Sequence, residues 1–133
     1  MRVLFIHPNF PAQFRFVATA LGSDPKNQVL FATANPRAEW KIKGVRKVVF
    51  RVREPSGDGG PLLKSFLDAE AKGEALLRVS ERLKSKGFIP DIIYGHSGWG
   101  SNWFVKDVFP KSRFLCYFEW YYRPDGADAL FGR

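Results

Sequence analysis

Residues 2–22, RVLFIHPNFPAQFRFVATALG, decide the fold. They open on an apolar run of strand length, Val3 to Ile6, that ends in His7 and Pro8. A strand with water on one face alternates apolar and polar side chains. An unbroken apolar run marks a strand buried on both faces, as in a parallel sheet covered by helices. The period then changes. Asn9 is suited to a cap or turn, and Pro11 to a first helical turn, where its missing N–H leaves nothing unsatisfied. Phe14, Val17, Ala18 and Leu21 fall at i, i+3, i+4 and i+7, one face of a helix, with Gly22 as its expected stop.

The same alternation recurs along the chain. QVLFATA (28–34) is a second buried-type strand, and VRKVVFRV (45–52) a third whose interleaved charges suit a sheet edge. EPSGDGGP (54–61) reads as a loop from its Gly and Pro content. Leu62 to Lys86 reads as a helix burying Leu62, Leu63, Phe66, Leu67, Leu76, Leu77 and Leu83, with Gly73 as a place to kink or divide it. DIIYGHS (91–97) is a fourth strand, SNWFVKDVF (101–109) a helix, RFLCYFE (113–119) a fifth strand, and WYYRPDGADALFGR (120–133) a loop. Strand–helix–strand units with short connections give parallel strands joined by right-handed crossovers. The expected architecture is a single α/β domain over residues 1–133, a Rossmann-like doubly wound sheet of five strands in the order 3-2-1-4-5. Such sheets bind ligands beyond the carboxyl ends of their strands, where the strand order reverses, here between strands one and four.

Composition narrows the function classes. The chain has 133 residues, 45% of them apolar and 26% charged, which suits a globular domain with a real core and excludes wholesale disorder. Its single cysteine, Cys116, excludes an internal disulfide framework, and one Cys with two His makes a zinc site unexpected. A reducing, cytoplasmic setting is the expectation. No apolar run reaches the roughly 18 to 20 residues of a membrane span. The net charge is +8, and +6 of it lies between Pro36 and Arg53, where Arg37, Lys41, Lys43, Arg46, Lys47, Arg51 and Arg53 face only Glu39. That stretch fits a stand-alone basic module for nucleic acid, an anionic lipid surface or a phosphorylated ligand, but more readily a charged guard on a sheet edge. Only Trp40 and Phe50 are interleaved with it, too few aromatics for a nucleic-acid stacking platform.

The strand tips carry the candidate site residues. His96 ends strand four beside the switch point, with an imidazole suited to donating, accepting or transferring a proton. Ser97 suits a cap of the following helix, Gly98 and Gly100 a tight turn or close backbone approach, and Trp99 a stacking face or a cover for the core. Asn9, Phe10 and Gln13 form the first strand–helix loop, whose amide N–H groups suit an anion at a helix start. That loop has no glycine, so it is neither the dinucleotide fingerprint nor a P-loop. Glu119, among aromatics at the end of strand five, is expected to be partly desolvated with a raised pKa, binding ligand hydroxyls or pairing with Arg123 or another basic side chain. Tyr121 and Tyr122 suit a wall of the crevice or a surface meant for another domain. His7 reads as structural, hydrogen-bonded within its turn.

RVLFIHPNFPAQF at the start, GEALLRVSERLKSKGFIPDIIYGHSGWG in the middle and FVKDVFPKSRFLCYFEWYYRPDGAD near the end together resemble the amino-terminal domain of family 4 glycosyltransferases, retaining enzymes of the GT-B fold. The resemblance implies a two-domain enzyme. This half holds the acceptor (a glycan, lipid or small molecule), and a carboxyl-terminal half holds the nucleotide-sugar donor. No metal or other cofactor is implied, and peripheral contact with the inner face of a membrane is compatible with such enzymes. Asp91 to His96 match a D-x-x-H-x-H run of many relatives, with Tyr94 replacing the first histidine, so His96 inherits the site position. The site expected is His96 and Glu119 as catalytic residues, with Asn9, Phe10, Gln13, Ser97, Gly98, Trp99 and Tyr122 binding substrate. Without its donor half, the stretch 1–133 is expected to be inactive.

Overall fold

The computed structural model describes residues 1–54 and 60–119. In chain order the elements are β1 (Arg2–Ile6), α1 (Arg15–Ser23), β2 (Gln28–Thr33), β3 (Val45–Val49), α2 (Pro61–Ser85), β4 (Ile92–His96), α3 (Val105–Val108) and β5 (Arg113–Tyr117). Single 3-10 turns cover Ala12–Phe14 and Ser97–Trp99. The five strands form one parallel sheet in the order β3-β2-β1-β4-β5, the expected order, with β3 at an edge.

The pleat sorts the side chains of β1 into two cores. Leu4 and Ile6 join Leu30, Ala32 and Ile93 under α2 and α3, where Leu76, Val79, Leu83, Val105 and Val108 cover them. Val3 and Phe5 join Val29 and Phe31 on the other face, under Phe14 and Ala18. This division follows from handedness. The β1–β2 crossover runs one way along the sheet and the β3–β4 and β4–β5 crossovers run the other, so right-handed connections put α1 on one face and α2 and α3 on the opposite one.

Several local expectations are corrected. Asn9 caps no helix: α1 is entered through the 3-10 turn that follows Pro11, and neither start has a side-chain cap. Val17 is exposed, while Phe14 and Ala18 are buried as the periodicity requires. Gly22 does not stop α1. It is buried within it, and a Cβ there would meet the Lys43 carbonyl oxygen at 2.7 Å, so the bare glycine lets the loop before β3 cross the helix. Gly73 neither kinks nor divides α2, which runs 25 residues unbroken. There the missing side chain makes room for the Phe104 ring, which a Cβ would approach to 3.0 Å. The third helix is a single turn, four residues long, and β5 stops at Tyr117, two residues short of Glu119.

The largest correction concerns α2. Leu76 and Leu83 are buried, but Leu63 and Phe66 are exposed and Leu62 is 86% exposed. At 1.5 Å per residue the helix is about 37 Å long, whereas a five-residue strand spans about 17 Å. A helix that returns from the carboxyl end of β3 to the start of β4 must overhang the sheet, and its amino-terminal half projects past the strand tips. Phe66 there meets Trp103, their ring centres 5.4 Å apart.

Gly100 seats the connection after β4 against this helix. Its φ is +74°, and a Cβ would run into the Ala69 backbone. Gly100→Ala therefore places a side chain in a left-handed conformation that alone costs about 1–3 kcal/mol, with the clash added. The denaturation midpoint should fall accordingly. An unchanged midpoint would mean the loop does not pack on Ala69.

Candidate functional site

The site is built where β4 runs out. His96, only 4% exposed, is the last residue of that strand. Its carbonyl accepts a 2.6 Å hydrogen bond from Asn102 Nδ2. Gly95 makes this possible, because a Cβ there would lie 2.5 Å from Asn102 Oδ1. Asn102 thus folds back against the strand and fixes its tip. The residue escaped sequence reading; the available signal was a small residue, Gly95, inside a strand followed by an amide seven positions on.

The imidazole has a defined tautomer. Gly98 N–H donates to His96 Nδ1 at 3.0 Å, so the proton sits on Nε2, which faces Glu119 Oε2 at 3.2 Å. The expectation that Ser97 caps the next turn is corrected: the capping acceptor is His96 itself. Glu119 Oε1 accepts a second bond from Gln13 Nε2 at 2.7 Å. A hydrogen-bonded chain, Gln13–Glu119–His96, therefore ties the loop after β1 to the tips of β5 and β4.

The electrostatics of Glu119 reverse the expectation of a raised pKa. The hydrogen bond from Gln13 holds its carboxyl below the usual carboxylate range, and His96 adds to the effect. The side chain is 40% exposed, so burial opposes ionisation too weakly to win. Arg123, its alternative partner in the sequence reading, lies outside the described residues, as do Tyr121 and Tyr122.

His7 closes the cluster. Its Nδ1 lies 2.9 Å from both the N–H and the carbonyl oxygen of Asn9, the local bonding expected of a structural histidine. Its ring stands perpendicular to that of His96, centres 5.2 Å apart. Burial pushes the His7 imidazole down, with the neighbouring His96 in the same direction and the Asn9 carbonyl opposing, so it is neutral at pH 7. Around His96 lie the rings of Tyr117, at 5.7 Å, and Trp99, at 5.9 Å. Tyr117 was also missed; its signal is register, since it pairs with His96 across β4 and β5.

The remaining candidates divide. Trp99 and Gly98 are exposed at the lip, and Ser97 is half-buried. Asn9 is exposed, but its Oδ1 accepts from Asn35 Nδ2 at 2.8 Å, pinning the tips of β1 and β2. Phe10 is corrected from substrate contact to core: it is 1% exposed and packs edge-on to Phe31. The loop offers less to an anion than expected, because the Asn9 and Phe10 N–H groups are already bonded to His7 and to the Asn35 carbonyl. Asp91, at the start of the matched motif, lies at the far end of β4, where it accepts from the Arg2 N–H. Tyr94 lies against Phe5, rings stacked at 5.0 Å, on the α1 face.

The basic stretch is partly committed to the fold. Lys47 Nζ donates to the carbonyls of Pro36, Arg37 and Trp40 at 2.7, 2.9 and 2.6 Å and lies 4.6 Å from the centre of the Phe10 ring. Phe50 is buried, and the Arg15 guanidinium stands over Trp40. Among the described residues no group of three or more His, Cys, Asp or Glu is arranged to hold a metal, and no helix is long and apolar enough to cross a membrane.

Comparison with known proteins adds the family. A solved structure of the carboxyl-terminal domain of a hydrogenase from Pyrococcus furiosus matches with a TM-score of 0.53 over 86% of this chain and 89% of that one. At 15% identity that likeness carries the fold alone. No significant match is found among curated proteins. The model of the glycosyl transferase family 4 group matches residues 25–133, which takes in β2 to β5 and the tips bearing His96 and Glu119. With most of its length inside that match, and with the sheet order expected of it, the chain belongs to the glycosyl transferase family 4 group.

Proposed function

We propose that this chain is the acceptor-side domain of a retaining glycosyltransferase of the GT-B type, serving transfer of a sugar from a nucleotide-sugar to a glycan, lipid or small-molecule acceptor. The observation that carries the reading is the Gln13–Glu119–His96 chain across the strand tips. A hydroxyl entering between His96 and Glu119 accepts from Nε2–H and donates to the carboxylate at once. Neither contact has to be created at the moment of reaction, which is how a preorganised site lowers a barrier. Glu119 orients the hydroxyl as acceptor; His96 stabilises negative charge that gathers on an oxygen. Trp99 and Tyr117 offer ring faces beside them. Ser97, Gly98 and Gln13 shape the mouth, and Tyr122 is proposed for its wall.

In this reading a carboxyl-terminal domain binds the donor, and chemistry takes place in the cleft between the halves. Residues 1–133 alone transfer no sugar, because groups that align and stabilise the donor come from the other half. No resident metal or cofactor is assigned. The location proposed is cytoplasmic, with peripheral contact at the inner face of a membrane, for which the apolar overhang of α2 at Leu62 and Phe66 is the support. A nucleic-acid module is disfavoured, since Phe50 is buried and Lys47 is bonded to carbonyls. A salt-titrated filter-binding assay should accordingly find weak binding; tight binding with a steep salt slope would favour the module instead.

Two measurements test the site. In an enzyme carrying both halves, His96→Ala should lower turnover more than tenfold, about 1.4 kcal/mol of transition-state stabilisation. Unchanged kinetics would remove His96 from the chemistry. The second concerns Glu119. A carboxylate with a depressed folded-state pKa contributes fully above its unfolded value of about 4.3 and loses that contribution as pH falls through the lower folded value. Its bonds to Gln13 and His96 should therefore survive to mildly acidic pH. Gln13→Leu removes the main cause of the depression, so the Glu119 carboxyl carbon should titrate at higher pH in that variant. An identical titration in the two proteins would rule out the Gln13 contact.

A further inference from the structure

The structural reading of His7 accounts for one of its nitrogens and leaves the other unexplained. Nδ1 lies 2.9 Å from both the N–H and the carbonyl oxygen of Asn9, accepting from the one or donating to the other according to the tautomer, so Asn9 serves this nitrogen either way. Nε2 is buried and has no hydrogen-bond partner among the described residues, in a residue only 3% exposed. A buried donor or acceptor left unpaired costs about 1–3 kcal/mol, and a side chain such as Phe would fill the space without that cost. The orphan belongs to the cluster just described: the His96 ring lies 5.2 Å away, and His96 and Glu119 are the charged or titratable groups whose fields reach it.

We infer that His7 is a further binding residue of this site, its Nε2 reserved for a hydroxyl of an uncharged sugar ring, a group that can donate to it or accept from it. The inference rests on the transferase reading for its ligand class and deepens it. Reaching Nε2 requires a neighbouring side chain to shift. Glu119 is exposed and, among the described residues, is held by Gln13 and His96, and an incoming hydroxyl replaces those bonds with equivalent ones. Charge selects the ligand. The tips present two imidazole Nε2 atoms and one carboxylate. A phosphate would meet repulsion from Glu119, whereas neighbouring sugar hydroxyls can bond to the imidazoles and donate to the carboxylate.

The test uses the full chain labelled with 15N at pH 7.5, followed by long-range correlation of the histidine ring nitrogens. The probes are a mixture of the methyl glycosides of glucose, galactose, mannose and N-acetylglucosamine and, separately, inorganic phosphate. The glycosides should move Nε2 of both His7 and His96, and phosphate neither. Two variants separate the nitrogens. Asn places an acceptor one bond beyond Cγ, where Nδ1 stands; Gln places a donor two bonds beyond Cγ, where Nε2 stands. His7→Asn should need at least tenfold more glycoside to move His96, and His7→Gln should recover most of the response. If His7→Asn does not fold, the ring shifts of the parent protein decide. Movement of His96 alone, or a parent-like titration in His7→Asn, overturns the role of His7 and leaves the transferase reading standing. A response to phosphate in place of sugars overturns the ligand class. Silence of both histidines overturns the inference together with a sugar site at these tips.

Discussion

The central strand β1 has no face open to water, and the rest of the molecule is arranged around that constraint. Val3, Leu4 and Phe5 have no exposed surface and Ile6 almost none, so polar side chains are excluded from the strand body. Each such apolar side chain contributes about 1.5–3 kcal/mol when fully buried, and the backbone is bonded to β2 on one side and β4 on the other. The first residue able to carry a polar group is therefore the one after the strand, His7, which still donates its N–H to the Ala32 carbonyl. The same holds for β4, whose polar group arrives at His96. On these two central strands the buried imidazoles therefore stand at the carboxyl tips.

At the tips the limiting resource is hydrogen-bond partners. His96 is almost as buried as the core, yet Gly98 satisfies one of its nitrogens and Glu119 the other. Glu119 is shared in turn with Gln13. A group set this way has its tautomer and orientation fixed before any ligand arrives. Asn102 does for the backbone what Gly98 does for the ring, holding the carbonyl that precedes the turn. The glycines of YGHSGWG thus have structural work: Gly95 admits Asn102, Gly98 brings its N–H to the imidazole, and Gly100 seats the loop on α2.

What was legible in the sequence had a period or an end. Strand runs, their order and the residues at their tips follow from apolar runs and crossover handedness, and these placed His7, His96 and Glu119 together. What was not legible depends on lengths in space or on contacts between distant segments. Periodicity marked Leu62, Leu63 and Phe66 as a buried face, but only the length of α2 against that of the sheet exposes them. Phe10 looked like a loop residue at a crevice; its ring turns inward because Phe31 and Lys47 receive it. The pKa of Glu119 turned on Gln13, 106 positions away along the chain. An aromatic neighbourhood in sequence suggested desolvation that the folded chain does not impose.

The basic stretch shows how far a charge count can stand from a binding surface. Seven cations lie between Arg37 and Arg53, and by number alone they invite an anionic partner. Lys47 is surrounded by three carbonyl oxygens and the face of Phe10, where it closes the loop before β3 rather than facing a phosphate. Arg46, its neighbour on the same strand, is exposed at the sheet edge. An unpaired strand edge is a template for another chain, and flanking charge raises the cost of that pairing. Alternation along β3 therefore divides the cations between two jobs, one inward for the loop and one outward for the edge. Both require positive charge, and neither requires a ligand.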